Sequence, residues 1–276
     1  MELIRIDDPD DPRVAPFRDI RERDLVGRQG RFIAEGKVVL ATLLGPESRF
    51  KAESVLVLEN RLAGLADILG KASPDLPVHV ASAAVMDRIA GFPIHRGILA
   101  VARKGLPVEP RALLSALPAR ALVAVLVGIS NHDNVGAIFR NAAAFGAAAV
   151  FLDKTSCDPL YRKAVRVSVG AALKVPFAVF EDVPDFMALL AEGGFDQYAL
   201  SPRGTLDLRE ADRGARTALF LGTEGEGLPE SVMQRMKTLR IDMVRGFDSL
   251  NVAAASAVAL HHFFEATLPW QGADVH

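Results

Sequence analysis

Six short apolar runs, separated by amphipathic helical stretches, occupy most of the chain beyond residue 120. They fall at 121–127, 148–152, 175–180, 196–200, 217–221 and 238–243, and are nearly continuous in Val, Leu, Ala and Phe. A half-exposed strand alternates polar with apolar; a run without alternation is buried on both faces. Helical patterns lie at about 135–145, 160–169, 184–192, 229–236 and 249–266. Strand–helix alternation predicts an α/β domain with a mostly parallel sheet. Such sheets bind ligands outside the carboxyl ends of their strands. The loops leaving the runs are therefore where chemistry is expected.

A smaller α/β pattern precedes this one. Residues 1–16 read as extended and poorly packed, and GKVVLATLLG has a helical apolar stripe. SVLVLE, VHVAS and RGILAVAR read as strands, and AAVMDRIAG as a helix closed by Gly91. Pro107, Pro110 and Pro118 mark a connector in which RALLSAL spans one or two helical turns. The expected organisation is a small α/β unit over 1–105, a linker over 106–118 and a second domain over 119–276.

Several classes are disfavoured by composition. No apolar run reaches the ~18 residues of a membrane span, and the acidic start has no signal-peptide core. One cysteine, Cys157, excludes an internal disulfide and fits a reducing compartment, so a cytoplasmic location is expected. Histidines are scattered, and adjacent His261 and His262 face different ways on a helix, so no metal is expected. A net charge of −2 argues against a general nucleic-acid binder. Yet Arg18, Arg21, Arg23, Arg28, Arg31 and Lys37 crowd the early chain, and Arg162, Lys163 and Arg166 form a second group. They are either a local phosphate-binding patch or a solvated face.

Three loops stand out. GISNHDNVGAIFRNAAAFG follows the run at 121–127; Asp133 or Asn134 is placed to cap its helix and Gly146 to close it. Arg140 lies about 120° from Asn134 around that helix. LGTEGEGLP follows the run at 217–221, with glycines at 222, 225 and 227 that allow close backbone approach to a ligand. It lacks the Gly-Lys-Ser/Thr of a P-loop and the glycine spacing of a dinucleotide fingerprint. A tight turn explains the glycines but not Glu224 between them. RGFDSLN follows the run at 238–243, and Asp248 or Ser249 is placed to cap the final, small-residue helix.

Together and in this order, these loops resemble the SpoU/TrmH group of SPOUT RNA 2′-O-ribose methyltransferases. NHDNVGAIFRNAAAFG resembles the first motif of that group, ALFLGTEGEGLP the second and IDMVRGFDSLNVAAASAVAL the third, covering about 119–268. RFIAEGKVVL and IHRGILA resemble the substrate-binding domain often attached to it. The chain departs from the pattern at Asp242, where proline is usual, and at His132-Asp133, where Asp-Pro is frequent. The resemblance implies a deep trefoil knot, S-adenosyl-methionine as cofactor, structured ribosomal or transfer RNA as substrate and a homodimer through the C-terminal domain.

By the same resemblance the catalytic positions are Asn134, Arg140, Glu224, Ser249 and Asn251. Those cradling the methyl donor are Leu221, Gly222, Thr223, Glu224, Gly225, Gly227, Ile241, Met243, Leu250, Asn251, Val252 and Ala253. Arg18, Arg28, Arg31 and Arg166 are the expected RNA contacts. Family proposals make the arginine a proton acceptor. Lowering a guanidinium from ~12.5 to ~7 costs roughly 7 kcal/mol, so a phosphate-holding role is the expectation here. Two other readings stand beside this one. One is a non-catalytic RNA-binding protein retaining the fold. The other is an NAD-dependent oxidoreductase, which requires a fingerprint the chain lacks.

Overall fold

The computed structural model describes residues 2–18, 20, 26, 29–244 and 246–264. They form two compact units, Met1–Leu106 with Pro159–Lys174, and Pro107–Asp158 with Val175–His276.

The first unit is built on a five-stranded mixed sheet. Its strands are β1 (Leu3–Ile6), β2 (Arg31–Glu35), β3 (Lys51–Leu58), β4 (Val78–Ala81) and β5 (Ile98–Arg103), in the order β1-β4-β3-β5-β2. β1, β4 and β3 are parallel, while β5 runs against β3 and β2. Helix α1 (Lys37–Leu43) buries Val39, Leu40 and Leu43, three residues of the expected stripe. Helix α2 (Ala83–Ala90) is capped by Ser82 and ends on Gly91, left-handed at φ 81°.

Two expectations fail in this unit. The opening residues are not poorly packed: Ile6, Val14 and Phe17 are buried in one apolar cluster with Leu56, Met86 and Leu99. Short segments between prolines carry too few positions to show a period, so packing of this kind leaves no pattern. The segment 159–174, placed by sequence in the second domain, packs in the first unit. Its helix, Arg162–Val167, meets the buried carboxylate of Glu35, with Arg162 Nη1 at 2.8 Å and Arg166 Nη1 at 3.6 Å. Arg49 N–H adds a bond to Leu173 O at 3.0 Å. Strand–helix alternation records the order of elements, not the core each helix covers.

The second unit carries a seven-stranded, wholly parallel sheet among the described residues, in the order β10-β12-β9-β11-β6-β7-β8. After helix α3 (Pro110–Ala116) come β6 (Ala121–Leu126), α4 (His132–Ala144), β7 (Ala149–Asp153) and β8 (Phe177–Phe180). Then follow α5 (Val183–Glu192), β9 (Asp196–Leu200), β10 (Leu206–Asp207), β11 (Arg216–Leu221), β12 (Lys237–Arg240) and α6 (Val252–Phe263). All six expected strands are present; β10, two residues long, is an addition to them. β6 and β7 are buried throughout, as unbroken apolar runs require. α6 lies against α4, where Asn141 Nδ2 donates to Ala253 O at 2.8 Å and Ser256 Oγ at 3.0 Å.

The helix starts differ from expectation. α4 is capped by Asn131, whose side chain accepts from Asp133 N–H, rather than by Asp133 or Asn134. α6 is capped by Asn251, not by Asp248 or Ser249. Gly146 does close α4, at φ 65°, and lets Ala147 N–H reach Ala142 O.

Since Phe17 is fully buried, Phe17→Ala should destabilise the first unit by about 3–5 kcal/mol. A drop of that size in urea denaturation is the expected outcome. A loss under about 1 kcal/mol, the level of a surface change, would show that the opening segment is not part of the core.

Candidate active site

Strands β12, β9, β11 and β6 are consecutive neighbours and point the same way. The loops that leave them therefore meet at one edge of the sheet. The first, 127–131, is held by Asp153, a buried carboxylate whose Oδ1 accepts from Gly128 N–H at 3.0 Å, from Ser156 N–H and from Ser156 Oγ. Ser156 Oγ in turn accepts from Ile129 N–H, and Cys157 N–H bonds Ile129 O. This buried bracket fixes where α4 begins.

The loop after β11 folds back on itself. A β-carbon on Gly222 would run into the backbone of Gly227 and Leu228, so no larger residue fits. Gly227 has φ +74°, a conformation side chains rarely adopt. Thr223 Oγ1 accepts from Gly227 N–H at 3.1 Å and closes the turn. Gly225 differs: a β-carbon there would meet no protein atom.

Three of the expected residues come together from three loops. Asn134 Nδ2 donates to Glu224 Oε1 at 2.5 Å, and Asn251 Nδ2 donates to the same oxygen at 2.6 Å. Asn251 Nδ2 also reaches Asn134 Oδ1 at 3.1 Å. Asn251 does this while capping α6, its Oδ1 accepting from Ala253 N–H and Ala254 N–H. With its oxygen on helix N–H groups, the amide must turn its NH₂ outward, toward an acceptor. The carboxylate supplies that acceptor. Because Asn131 caps α4, Asn134 is free to act here, and it is buried at 5 % exposure. Among the described residues, Glu224 Oε2 has no donor.

Beside this set lies a cavity of about 440 Å³. Of the residues expected to bind a cofactor, Leu221, Gly222, Thr223, Glu224, Gly225, Gly227, Ile241, Met243, Leu250 and Val252 line it; Asn251 and Ala253 do not. Ser249 and Asp248 also line it. Sequence reasoning misses Leu200, the last residue of β9, and Ser201, Pro202 and Arg203, which follow it. The position of that loop between its neighbours is a property of strand order, and Ser-Pro-Arg-Gly reads as an ordinary turn. Volume, apolar walls and a polar mouth suit a small organic ligand. Arg140 is exposed on α4 and has no hydrogen-bond or ion-pair partner among the described residues.

Of the expected RNA contacts, Arg18, Arg31 and Arg166 lie in the first unit. Arg18 is tied to Pro9 O and Asp11 O, Arg31 to Glu53 and Arg166 to Glu35. Arg28 lies outside the described residues. Among the described residues, no group of three or more His, Cys, Asp or Glu is arranged to hold a metal, and no helix is long and apolar enough to cross a membrane.

Burial, with a smaller contribution from Asp158, pushes the Cys157 thiol up to about 12. The reactive thiolate is therefore scarce at pH 8, and a disulfide reagent should modify native protein roughly a hundredfold more slowly than unfolded protein. The native rate should climb as pH rises toward 12, with no plateau near 9. Equal rates in the two states would contradict this.

Comparison with known proteins places these features in a family. The profile of the SpoU rRNA Methylase family matches residues 121–261. An uncharacterized tRNA/rRNA methyltransferase of Mycobacterium bovis is 44% identical over 276 residues, covering 97% of this chain and 92% of its own. The 23S rRNA (guanosine-2′-O-)-methyltransferase RlmB of Xanthomonas campestris is 31% identical over 192 residues, with 68% of this chain and 76% of its own covered. A crystal structure of an AdoMet-bound rRNA methyltransferase from Sinorhizobium meliloti superposes with a TM-score of 0.78 at 22% identity, covering 94% of this chain and 97% of that one.

Proposed function

Because the chain belongs to the SpoU rRNA Methylase family, we propose that it transfers a methyl group from S-adenosyl-methionine to a ribose 2′-hydroxyl of ribosomal or transfer RNA. The observation that carries this reading is the Glu224 carboxylate gripped by Asn134 and Asn251 at the wall of the cavity.

The cavity fits the donor. Leu221, Ile241, Met243, Leu250 and Val252 offer apolar walls, and Gly222 and Gly227 bring main chain to the surface. Glu224, Glu226 and Asp248 border the same space with negative charge, which complements a sulfonium. When bound, the donor supplies an activated methyl group whose leaving sulfur needs no acid. Residues 221–227 with Ile241, Met243, Leu250 and Val252, all of which line the cavity, cradle it. Asn134, Ser249 and Asn251 orient the ribose, and Glu224 holds both amides in place. Arg140, exposed and unpartnered among the described residues, takes the phosphate beside the target ribose through its bidentate fork. Alignment of the 2′-oxygen in line with the methyl–sulfur bond then carries much of the acceleration.

The same reading includes a deep trefoil knot, formed as the last segment of the chain threads a loop of its own domain. It also includes a homodimer. Val244, Phe247 and Val258 are 78 %, 62 % and 44 % exposed, and a second copy covers them. The cell compartment in this reading is the cytoplasm.

The test is incubation of the full chain with methyl-labelled S-adenosyl-methionine and total RNA. Label should enter RNA at linkages that resist alkali, since a methylated 2′-oxygen cannot attack its phosphate. Absence of label, with donor and RNA both bound, would favour the non-catalytic reading. Label in alkali-sensitive RNA would place the methyl group on a base.

Arg140→Ala should reduce methyl transfer by about a hundredfold or more while leaving donor binding intact. Arg140→Lys should keep part of the activity, since a phosphate clamp survives as a point charge but loses its fork. Wild-type turnover in Arg140→Ala would remove Arg140 from the site.

RNA docking is assigned to the first unit. Deleting 1–105 would strip Pro159–Lys174 of its partners, so substitutions in the full chain are the cleaner test. Arg28→Gln and Arg166→Gln should each lower the slope of log affinity against log salt by about 0.7–0.9 if they neutralise a phosphate. Unchanged slopes would return these arginines to a solvated or internally paired role.

A further inference from the structure

Arg240 ends β12, and its side chain joins two walls of the cavity without lining it. Nε donates to Asp242 Oδ1 at 3.0 Å, and Nη1 donates to Thr205 O at 3.0 Å. Asp242 Oδ2 accepts from Arg209 Nη2 at 2.7 Å, a nitrogen that also pairs with Asp207 at 2.7 Å. The residues beside these contacts do face the cavity. Ser201, Pro202 and Arg203 precede the gripped carbonyl, and Ile241 and Met243 flank Asp242.

The turn after β9 is built to lie against β12. A β-carbon on Gly204 would collide with the backbone of Leu239 and Arg240, so the approach requires glycine. Ser201 N–H donates to Leu239 O at 2.9 Å, and Thr205 N–H to Thr238 Oγ1 at 3.0 Å. The strand pairing of β12 ends at Arg240, and residues of both segments, Ser201, Pro202 and Arg203 on one and Ile241 and Met243 on the other, line the cavity. Arg240 and Asp242 are the tie between them.

Stability alone does not account for the arrangement. Arg209 and Asp242 side chains are 76 % and 50 % exposed, and pairs so exposed contribute little to folding. What a guanidinium with several fixed donors does supply is one geometry among those the loop could take.

We propose that Arg240 and Asp242 form a positioning clamp that sets the separation of the two cavity walls, and so the affinity for the methyl donor, without touching it. This rests on the reading of the cavity as the donor pocket.

The test titrates S-adenosyl-methionine into the full chain by calorimetry, alongside thermal melts and steady-state kinetics. Arg240→Lys and Asp242→Ala should each weaken donor binding about tenfold, and the double variant no more than the worse single one, because both cut one link. Melting temperatures should stay within about 2 °C of wild type. KM for the donor should rise while kcat at saturating donor stays within twofold. Asp242→Glu should recover part of the affinity. Affinities within twofold of wild type, additive losses, or losses matched by a fall in melting temperature would each overturn the clamp and leave the pocket reading standing. A wild-type protein that melts cooperatively yet takes up no S-adenosyl-methionine would overturn both.

Discussion

A wholly parallel sheet points every strand the same way, and the site depends on that constraint. No two neighbouring strands can be joined by a hairpin, and apart from the five-residue step from β9 to β10 over the end of β12, the chain must return along the sheet before each new strand. The loops leaving β12, β9, β11 and β6 are thereby stacked side by side along one edge. Glu224 lies 90 residues from Asn134, and Asn251 lies 117 residues from it. No local preference brings such positions within hydrogen-bond distance. Sheet order does, and α6 against α4 completes the enclosure.

Much of this is legible in the amino-acid sequence. The strands are readable because burial on both faces leaves an unbroken apolar run, a signal that survives without neighbours. The three loops are readable because glycine and a misplaced carboxylate have few other reasons to occur together. Helix caps are not. Ser130, Asn131, Asp133 and Asn134 are all competent to cap, and no periodicity chooses among them. The choice matters, since capping by Asn131 releases Asn134 to hold Glu224, while at α6 the cap and the site residue are the same asparagine. The loop after β9 escapes a reading of the sequence because its membership depends on β9 sitting between β11 and β12.

The arginines show a different limit. Their density in the early chain is a fact of sequence, but charge counted along a chain does not say what it meets. Arg31 and Arg103 share Glu53, Arg18 ends on backbone carbonyls, and Arg162 with Arg166 surrounds Glu35. Much of the apparent patch is thus internal wiring. Asp242, where the resemblance of the third motif leads to an expectation of proline, has the same character. Proline restricts a backbone through its ring; here a carboxylate between two guanidinium groups restrains the same stretch.

The pairing of β6 with β11 rather than with a strand close in sequence has a consequence for how the protein is made. On the ribosome β6, ending at Leu126, emerges with one edge soon covered by β7, while the other waits for β11, which begins only at Arg216. At ordinary synthesis speeds that is a delay of about five to twenty seconds. During it a fully apolar strand edge stands open, a template for pairing with another nascent chain. Crowding on polysomes is therefore the condition under which this fold is most exposed to error, and slower translation between the codons for β8 and β11 would lengthen the hazard rather than relieve it.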